Sequence, residues 1–377
     1  MHIHDTTEAQ ASQVVFLKDA GKDGKTRPWA LHRTEADYMA AAYDEFNPDK
    51  ANRLRGCASW LEFAEGVDGR TLHDANFCRI RLCPICQWRR SLKIWSQTTD
   101  LVAAANKSRP GGCAWVMLTL TQKNVDDYML AGELDSLFSA WNDFSRRKEF
   151  KRAVLGYMRV LEVTHNTEIQ THAYDTYHPH FHVLLAVRPS YFTSRDYIKH
   201  ARWQQMWAEA MKLDYMPQVD VHRVYGNTAK AVAEVSKYAT KPSDILTPEY
   251  WDVTVRTVEL LDHDLNGRRL VAYGGLLRQL HQQLHLDSIE NGDLIHTGTE
   301  DAAAAEVVRY VSYNWTIGYR QYVRGKVRTG GSPHAEKEKA RCARAGTTPC
   351  ERRAAIRELE AAGPAGVELV QRVSGQK

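Results

Sequence analysis

Tyr177-His178-Pro179-His180-Phe181-His182, followed by Val183-Leu184-Leu185-Ala186-Val187, decides how this chain is read. The apolar β-formers behind the histidines predict a buried strand over His180–Val187, and successive strand side chains point to opposite faces. His180 and His182 then share one face of a sheet, with Phe181 packed on the other. Two imidazoles on a rigid strand make a ready pair of metal ligands. His178 has the same parity and rivals any other third ligand. An isolated His-x-His is as readily a pair of half-exposed strand histidines, so the surrounding sequence has to decide.

Working outward, Ala114–Thr121 reads as a strand and Gly132–Arg152 as a helix through Leu134, Leu137, Trp141 and Phe144. Val154–Thr164 is a second strand. After the histidine strand come a helix at Ser194–Lys212, a strand at Val219–Tyr225 and a helix at Thr228–Thr240. The order β-α-β-β-α-β-α predicts an α+β fold of split-βαβ type, an antiparallel sheet backed by helices. Glu162 lies within the apolar run Val160-Leu161-Glu162-Val163, where a carboxylate needs a partner to offset its desolvation. A divalent cation shared with His180 and His182 would supply one and leave positions open for water and substrate.

The chain has 377 residues, a net charge of +4 and seven cysteines. An odd cysteine count argues against a disulfide framework. Cys83-Pro84-Ile85-Cys86 has knuckle spacing, and Cys57, Cys78, Cys83 and Cys86 together predict a structural Zn²⁺ site, with His73 in reserve. A redox Cys-x-x-Cys would need a thioredoxin-like βαβ context, which is not apparent. Basic residues cluster at Arg79–Lys93, Arg146–Arg152 and Tyr319–Arg328, surfaces suited to phosphates. No apolar run approaches membrane-spanning length and the N-terminus has no signal-peptide pattern, so the cytoplasm is the expected location. Expected divisions are an irregular arm at 1–50, a zinc-binding, DNA-contacting module at 51–108 and a catalytic domain at 113–245. A mostly helical, DNA-binding extension follows at 246–330, then a disordered tail at 331–377.

The second chemical motif is Glu234-Val235-Ser236-Lys237-Tyr238-Ala239-Thr240-Lys241. On a helix Glu234 and Tyr238 are one turn apart on one face, and Lys241 joins them. A phenol with a pKa near 10 is a poor nucleophile until a metal and a lysine assist it. It can then attack a polarised phosphodiester, and a carboxylate one turn away can activate water to cleave the resulting link.

Three motifs in order carry a resemblance: Met117-Leu118-Thr119-Leu120-Thr121-Gln122-Lys123-Asn124, the histidine run, and Glu234 through Lys241. Two flanking patterns, Phe77 through Lys93 and Ala272-Tyr273-Gly274-Gly275-Leu276-Leu277, fall in the same order. The chain resembles the replication initiators of small rolling-circle plasmids, within the HUH (His-hydrophobic-His) endonucleases, in the branch with one tyrosine and an accompanying glutamate. That resemblance implies a ferredoxin- or RRM-like sheet, with Tyr238 as nicking nucleophile assisted by Lys241. It implies Glu234 as the base for terminal hydrolysis, and His180 and His182 as ligands of Mg²⁺ or Mn²⁺. DNA contacts are expected from Thr119, Thr121, Asn124, Arg81, Arg89, Arg90, Lys93 and Lys237. Implied partners are plasmid origin DNA and a host helicase and polymerase, with the oligomeric state open between monomer and dimer. The rival readings are a single-strand transposase of the same chemistry and a non-catalytic DNA-binding repressor.

Overall fold

The computed structural model describes residues 14–21, 24–66, 69–226, 228–236, 240, 242–247, 249–298 and 307–329. Helices α1 (Trp29–Asp44) and α2 (Pro48–Gly56) lead into β1 (Trp60–Gly66), β2 (Gly69–Ala75) and α3 (Pro84–Lys107). Then come β3 (Ala114–Leu120), α4 (Leu130–Arg146), α5 (Lys148–Ala153), β4 (Val154–Asn166) and β5 (Thr176–Val187). Helix α6 (His200–Met211), β6 (Val219–Val224), α7 (Ala229–Val235), α8 (Pro242–Ile245) and α9 (Trp251–Asp264) follow. The series closes with β7 (Val271–Gly274), α10 (Gly275–Gln283), β8 (Val307–Thr316) and β9 (Gln321–Thr329). Among the described residues no helix is long and apolar enough to cross a membrane.

The central sheet is antiparallel with strand order β6-β3-β5-β4-β7. Its first four strands and the helices between them make the expected split-βαβ unit, with β3 and β5 in the middle. Apolar spacing explains the first face. In α4, Leu130, Leu134, Leu137, Trp141 and Phe144 form one buried stripe. Phe181 of β5 meets Trp141 at 5.9 Å, Phe138 at 5.6 Å and Trp207 of α6 at 6.4 Å between ring centres. Buried in this aromatic layer, the Arg159 guanidinium lies 4.3 Å from the Phe181 ring centre and donates to the Arg269 carbonyl. Burial pushes its pKa down to about 10. The expected helix over Gly132–Arg152 breaks at Arg147, whose ψ of 142° is extended, and restarts as α5. The break turns Phe150 back onto Trp141, at 6.0 Å.

Helices α3, α7 and α10 cover the other face. Thr98 of α3 donates to Met158 Sδ of β4 at 3.1 Å. Helix α10 approaches so closely that a Cβ on Gly156 would lie 2.7 Å from the Leu277 nitrogen. Gly275, at φ +56°, would place a Cβ 2.4 Å from the Leu155 carbonyl oxygen. Gly275 of the Ala272–Leu277 pattern is thus explained by the close approach of α10 to β4, and Gly274 by the Tyr157 ring, 2.2 Å from where its Cβ would stand.

A second antiparallel sheet has the order β2-β1-β8-β9, with Leu61 opposite Tyr313 and Phe63 opposite Val311. Its buried carboxylates are paired: Glu65 with Arg70 at 2.6 Å and Arg309 at 2.8 Å, and Glu62 with Arg328. Two expectations fail here. Part of the supposed irregular arm is helix α1, which buries Trp29, Ala36, Met39, Ala40 and Tyr43. Three alanines among its buried positions flatten the hydropathy signal, although the spacing is helical. The extension over 246–330 is also less helical than expected, because 307–329 form a hairpin that pairs with β1. The tail at 331–377 lies outside the described residues.

Phe181→Ala would leave a void between α4, α6 and the sheet. Urea unfolding should show a loss of about 3–5 kcal/mol, whereas a loss below about 1 kcal/mol would mean that Phe181 does not anchor this layer.

Candidate active site and cysteine cluster

Register builds the first site. Glu162 of β4 pairs with His180 of β5, and His182 pairs with Val160 on one side and Thr119 of β3 on the other. Glu162, His180 and His182 therefore share the face opposite Phe181. Their donor atoms converge: His180 Nε2 is 3.1 Å from His182 Nε2, and Glu162 Oε2 is 3.1 Å from His182 Nε2 and 3.7 Å from His180 Nε2. Ligands at right angles around a cation at ~2.1 Å are separated by about 3.0 Å. The spacing fits a bound divalent cation, with all three side chains buried.

The second nitrogens hold the two rings. His180 Nδ1–H donates to the His178 carbonyl at 3.0 Å, which turns Nε2 into the site. His182 Nδ1 lies 3.3 Å from Thr119 Oγ1, so the threonine orients an imidazole. His178 shares the face but its Nε2–H donates to the Gln122 carbonyl at 2.9 Å, and the group that converges contains Glu162 in its place. Burial, then the charge of His180, holds the His178 pKa below the usual histidine value. For Glu162 burial pushes the pKa up, and the neighbouring imidazoles of His180 and His182 override it, leaving the carboxyl well below the usual range. Glu162 is thus the carboxylate that a cation needs.

Helix α7 carries Glu234 to this face, with Oε1 3.8 Å from His182 Nε2. Lys237, Tyr238 and Lys241 lie outside the described residues. Thr121 donates to the Gln218 carbonyl at 2.7 Å and Asn124 to Thr176 Oγ1 at 2.9 Å; both follow the end of β3.

The second cluster joins Cys57 after α2, Cys78 in the loop before α3, and Cys83 and Cys86 at the start of α3. Sγ–Sγ separations are 3.5 Å for Cys57–Cys83, 3.7 Å for Cys57–Cys86 and 3.8 Å for Cys78–Cys86. Four sulfurs ~2.3 Å from a tetrahedral zinc stand about 3.8 Å apart, so the donor set and spacing fit that ion. Ala58 (φ 48°) and Arg79 (φ 62°), each directly after a cluster cysteine, adopt left-handed turns. The Arg79 N–H donates to Cys86 Sγ at 3.3 Å. For Cys86 burial opposes ionisation, but hydrogen bonds from the other three thiols and the Arg90 charge hold its pKa well below the ordinary thiol value. His73 is not one of the four: its ring packs 4.7 Å from that of Tyr310.

Residues 69–323 match the family described as "Replication protein". The chain belongs to that family. Proteins named "Protein rep" are similar along most of their length. The one from Bacillus amyloliquefaciens is 38% identical over 336 residues, 82% of this chain and 97% of its own. The one from Lactiplantibacillus plantarum is 37% identical over 318 residues, 79% of this chain and 97% of its own. The one from Streptococcus pneumoniae is 34% identical over 324 residues, 84% of this chain and 97% of its own. No solved structure matches the chain. The family agrees with the resemblance to replication initiators carried by the sequence motifs.

For a replication protein the basic helix α3 was expected to meet DNA, and the structure corrects this for most of its charges. Arg89, Arg90 and Lys93 are 3%, 2% and 3% exposed. Arg89 donates to the carbonyls of Leu294 and Ile295, Arg90 to those of Arg79 and Ile80, and Lys93 to Asp287 Oδ2 and the Asp293 carbonyl. Arg81 turns to the Arg268 carbonyl and to Glu290. A basic helix reads alike in sequence whether its charges face solvent or tie down a loop. The loop carbonyls decide between them.

Lys93→Ala should lower stability by about 1–3 kcal/mol in chemical denaturation, since Asp287 loses its cation. It should leave the salt dependence of DNA binding unchanged. A slope smaller by about one would instead restore Lys93 as a phosphate contact.

Proposed function

We propose that this replication protein is a metal-dependent, site-specific DNA nickase and strand transferase that starts and ends rolling-circle replication at a plasmid double-strand origin. The observation that carries the reading is the convergence of Glu162, His180 and His182 on one sheet face, with Glu234 of α7 beside them. Mg²⁺ or Mn²⁺ suits this nitrogen–oxygen set, and a cation there supplies polarisation of the scissile phosphodiester. Zn²⁺ suits the four thiolates in a structural role.

In this reading the Tyr238 oxygen attacks phosphorus while the bond from phosphorus to the 3′-oxygen breaks. A 5′-phosphotyrosyl link forms and a free 3′-hydroxyl is left for a host polymerase. Lys241, three residues along, favours the phenolate. His180 and His182 are pre-oriented by the His178 carbonyl and by Thr119, which lowers the cost of holding a cation between them. At termination Glu234 takes a proton from water, which then displaces Tyr238 from phosphorus. One phosphodiester is exchanged for another in the first step, so nicking requires no ATP. Thr121, Asn124 and Lys237 are assigned to the single-stranded nick site, and 246–330 to origin recognition. A host helicase opens the duplex, in the cytoplasm.

The test uses supercoiled DNA carrying the cognate origin. With Mn²⁺ the wild type should form a DNA adduct visible on a denaturing protein gel, and EDTA, His182→Ala or Tyr238→Phe should abolish it. An adduct persisting in Tyr238→Phe would remove the tyrosine from its role. Glu234→Ala should still nick but release the adduct about 10²–10⁴-fold more slowly. Unchanged release would end the assignment of Glu234 as base.

A further inference from the structure

Gln87 directly follows Cys86 in the first turn of α3, and both are buried. The Gln87 side-chain Nε2–H donates to Thr240 Oγ1 at 3.1 Å, a contact between residues 153 positions apart. Thr240 is 2% exposed and stands two residues after Tyr238. On the near side of the tyrosine, buried Ser236 donates its hydroxyl to the Val232 carbonyl of α7. The described residues flanking the segment that bears Tyr238 are therefore both bonded, one to its own helix and one to the cysteine helix.

Gln87 is itself held. The neighbouring Cys86 sulfur accepts the Arg79 N–H, and Arg90 clamps the Arg79 and Ile80 carbonyls of the same loop. Further along, Thr98 ties α3 to Met158, which shares the sheet face of Glu162. Helix α3 thus spans from the cysteine cluster to the face that carries the histidines.

We propose that Gln87 is a positioning residue for Tyr238: through Thr240 it fixes the nucleophile's segment to the cysteine cluster, so the cysteine module serves the nicking step itself. The inference rests on Tyr238 being the nucleophile. In-line attack depends steeply on where the attacking oxygen sits, and a misplacement of ~1 Å can cost about 100-fold in rate.

The experiment uses the full chain with its zinc and a single-stranded oligonucleotide spanning the cognate nick site. Gln87→Ala and Thr240→Val should each slow single-turnover nicking by about 10- to 100-fold. Oligonucleotide affinity, zinc content and melting temperature should stay at wild-type values. The double variant should be no slower than either single one, because both remove the same bond. Thr240→Ser, which keeps the acceptor oxygen, should nick near the wild-type rate. Gln87→Ala at the wild-type rate, losses that multiply in the double variant, or losses confined to affinity would each overturn the proposal. If Gln87→Ala fails to fold, the contrast between Thr240→Val and Thr240→Ser decides by the same criteria. Tyr238→Phe runs alongside: an adduct formed by that variant would sink the nucleophile assignment, whereas its loss beside unaffected Gln87→Ala would sink only the positioning role.

Discussion

The side chains of β5 alternate between two opposed environments, and the candidate site depends on that alternation staying in register. Phe181 is locked among Trp141, Phe138 and Trp207, while His180 and His182 on either side of it turn the opposite way. A slip of one residue would put imidazoles into the aromatic layer and a phenyl ring beside Glu162. Burying polar rings in an apolar layer costs several kcal/mol, on the order of a domain's whole stability, so the core itself selects the register. The aromatic face is what aims the histidines.

Where α3 meets the 287–295 segment, buried charges set the arrangement. Helix α3 buries two guanidiniums and an ammonium, and each is met by loop carbonyls or by Asp287. Such groups are costly when unpaired, so Arg89 and Lys93 hold the 287–295 segment on the helix while Arg90 holds the loop at Arg79 and Ile80. The same helix begins in the cysteine cluster, so one element links the thiolates, the loop and the sheet. Its basic character is internal wiring, and the DNA-facing groups must be sought elsewhere.

The closure of the second sheet is the least local event in the fold. Residues 60–66 pair with 307–314. That pairing brings the end of the described chain back beside α1 and the cysteine loop, where Tyr322 donates to the Ala58 carbonyl at 2.7 Å. The family match runs over 69–323, and so takes in the whole central sheet but leaves out β1 and most of β9.

Local pattern alone determined a good deal about this protein: the split-βαβ order, the shared face of His180 and His182, the carboxylate Glu162 beside them, and the four cysteines. Each follows from a period of 2 or 3.6, from a short ligand spacing, or from a charge stranded in an apolar run. The helix at Trp29–Asp44 was legible in spacing but blurred by its alanines. Only the tertiary structure decided that Glu162 and not His178 completes the group, that Arg89, Arg90 and Lys93 face inward, and that 307–329 are strands. Those outcomes depend on which carbonyl or partner strand arrives from residues far along the chain. Local sequence carries a side chain's chemistry but not the identity of the neighbour that satisfies it.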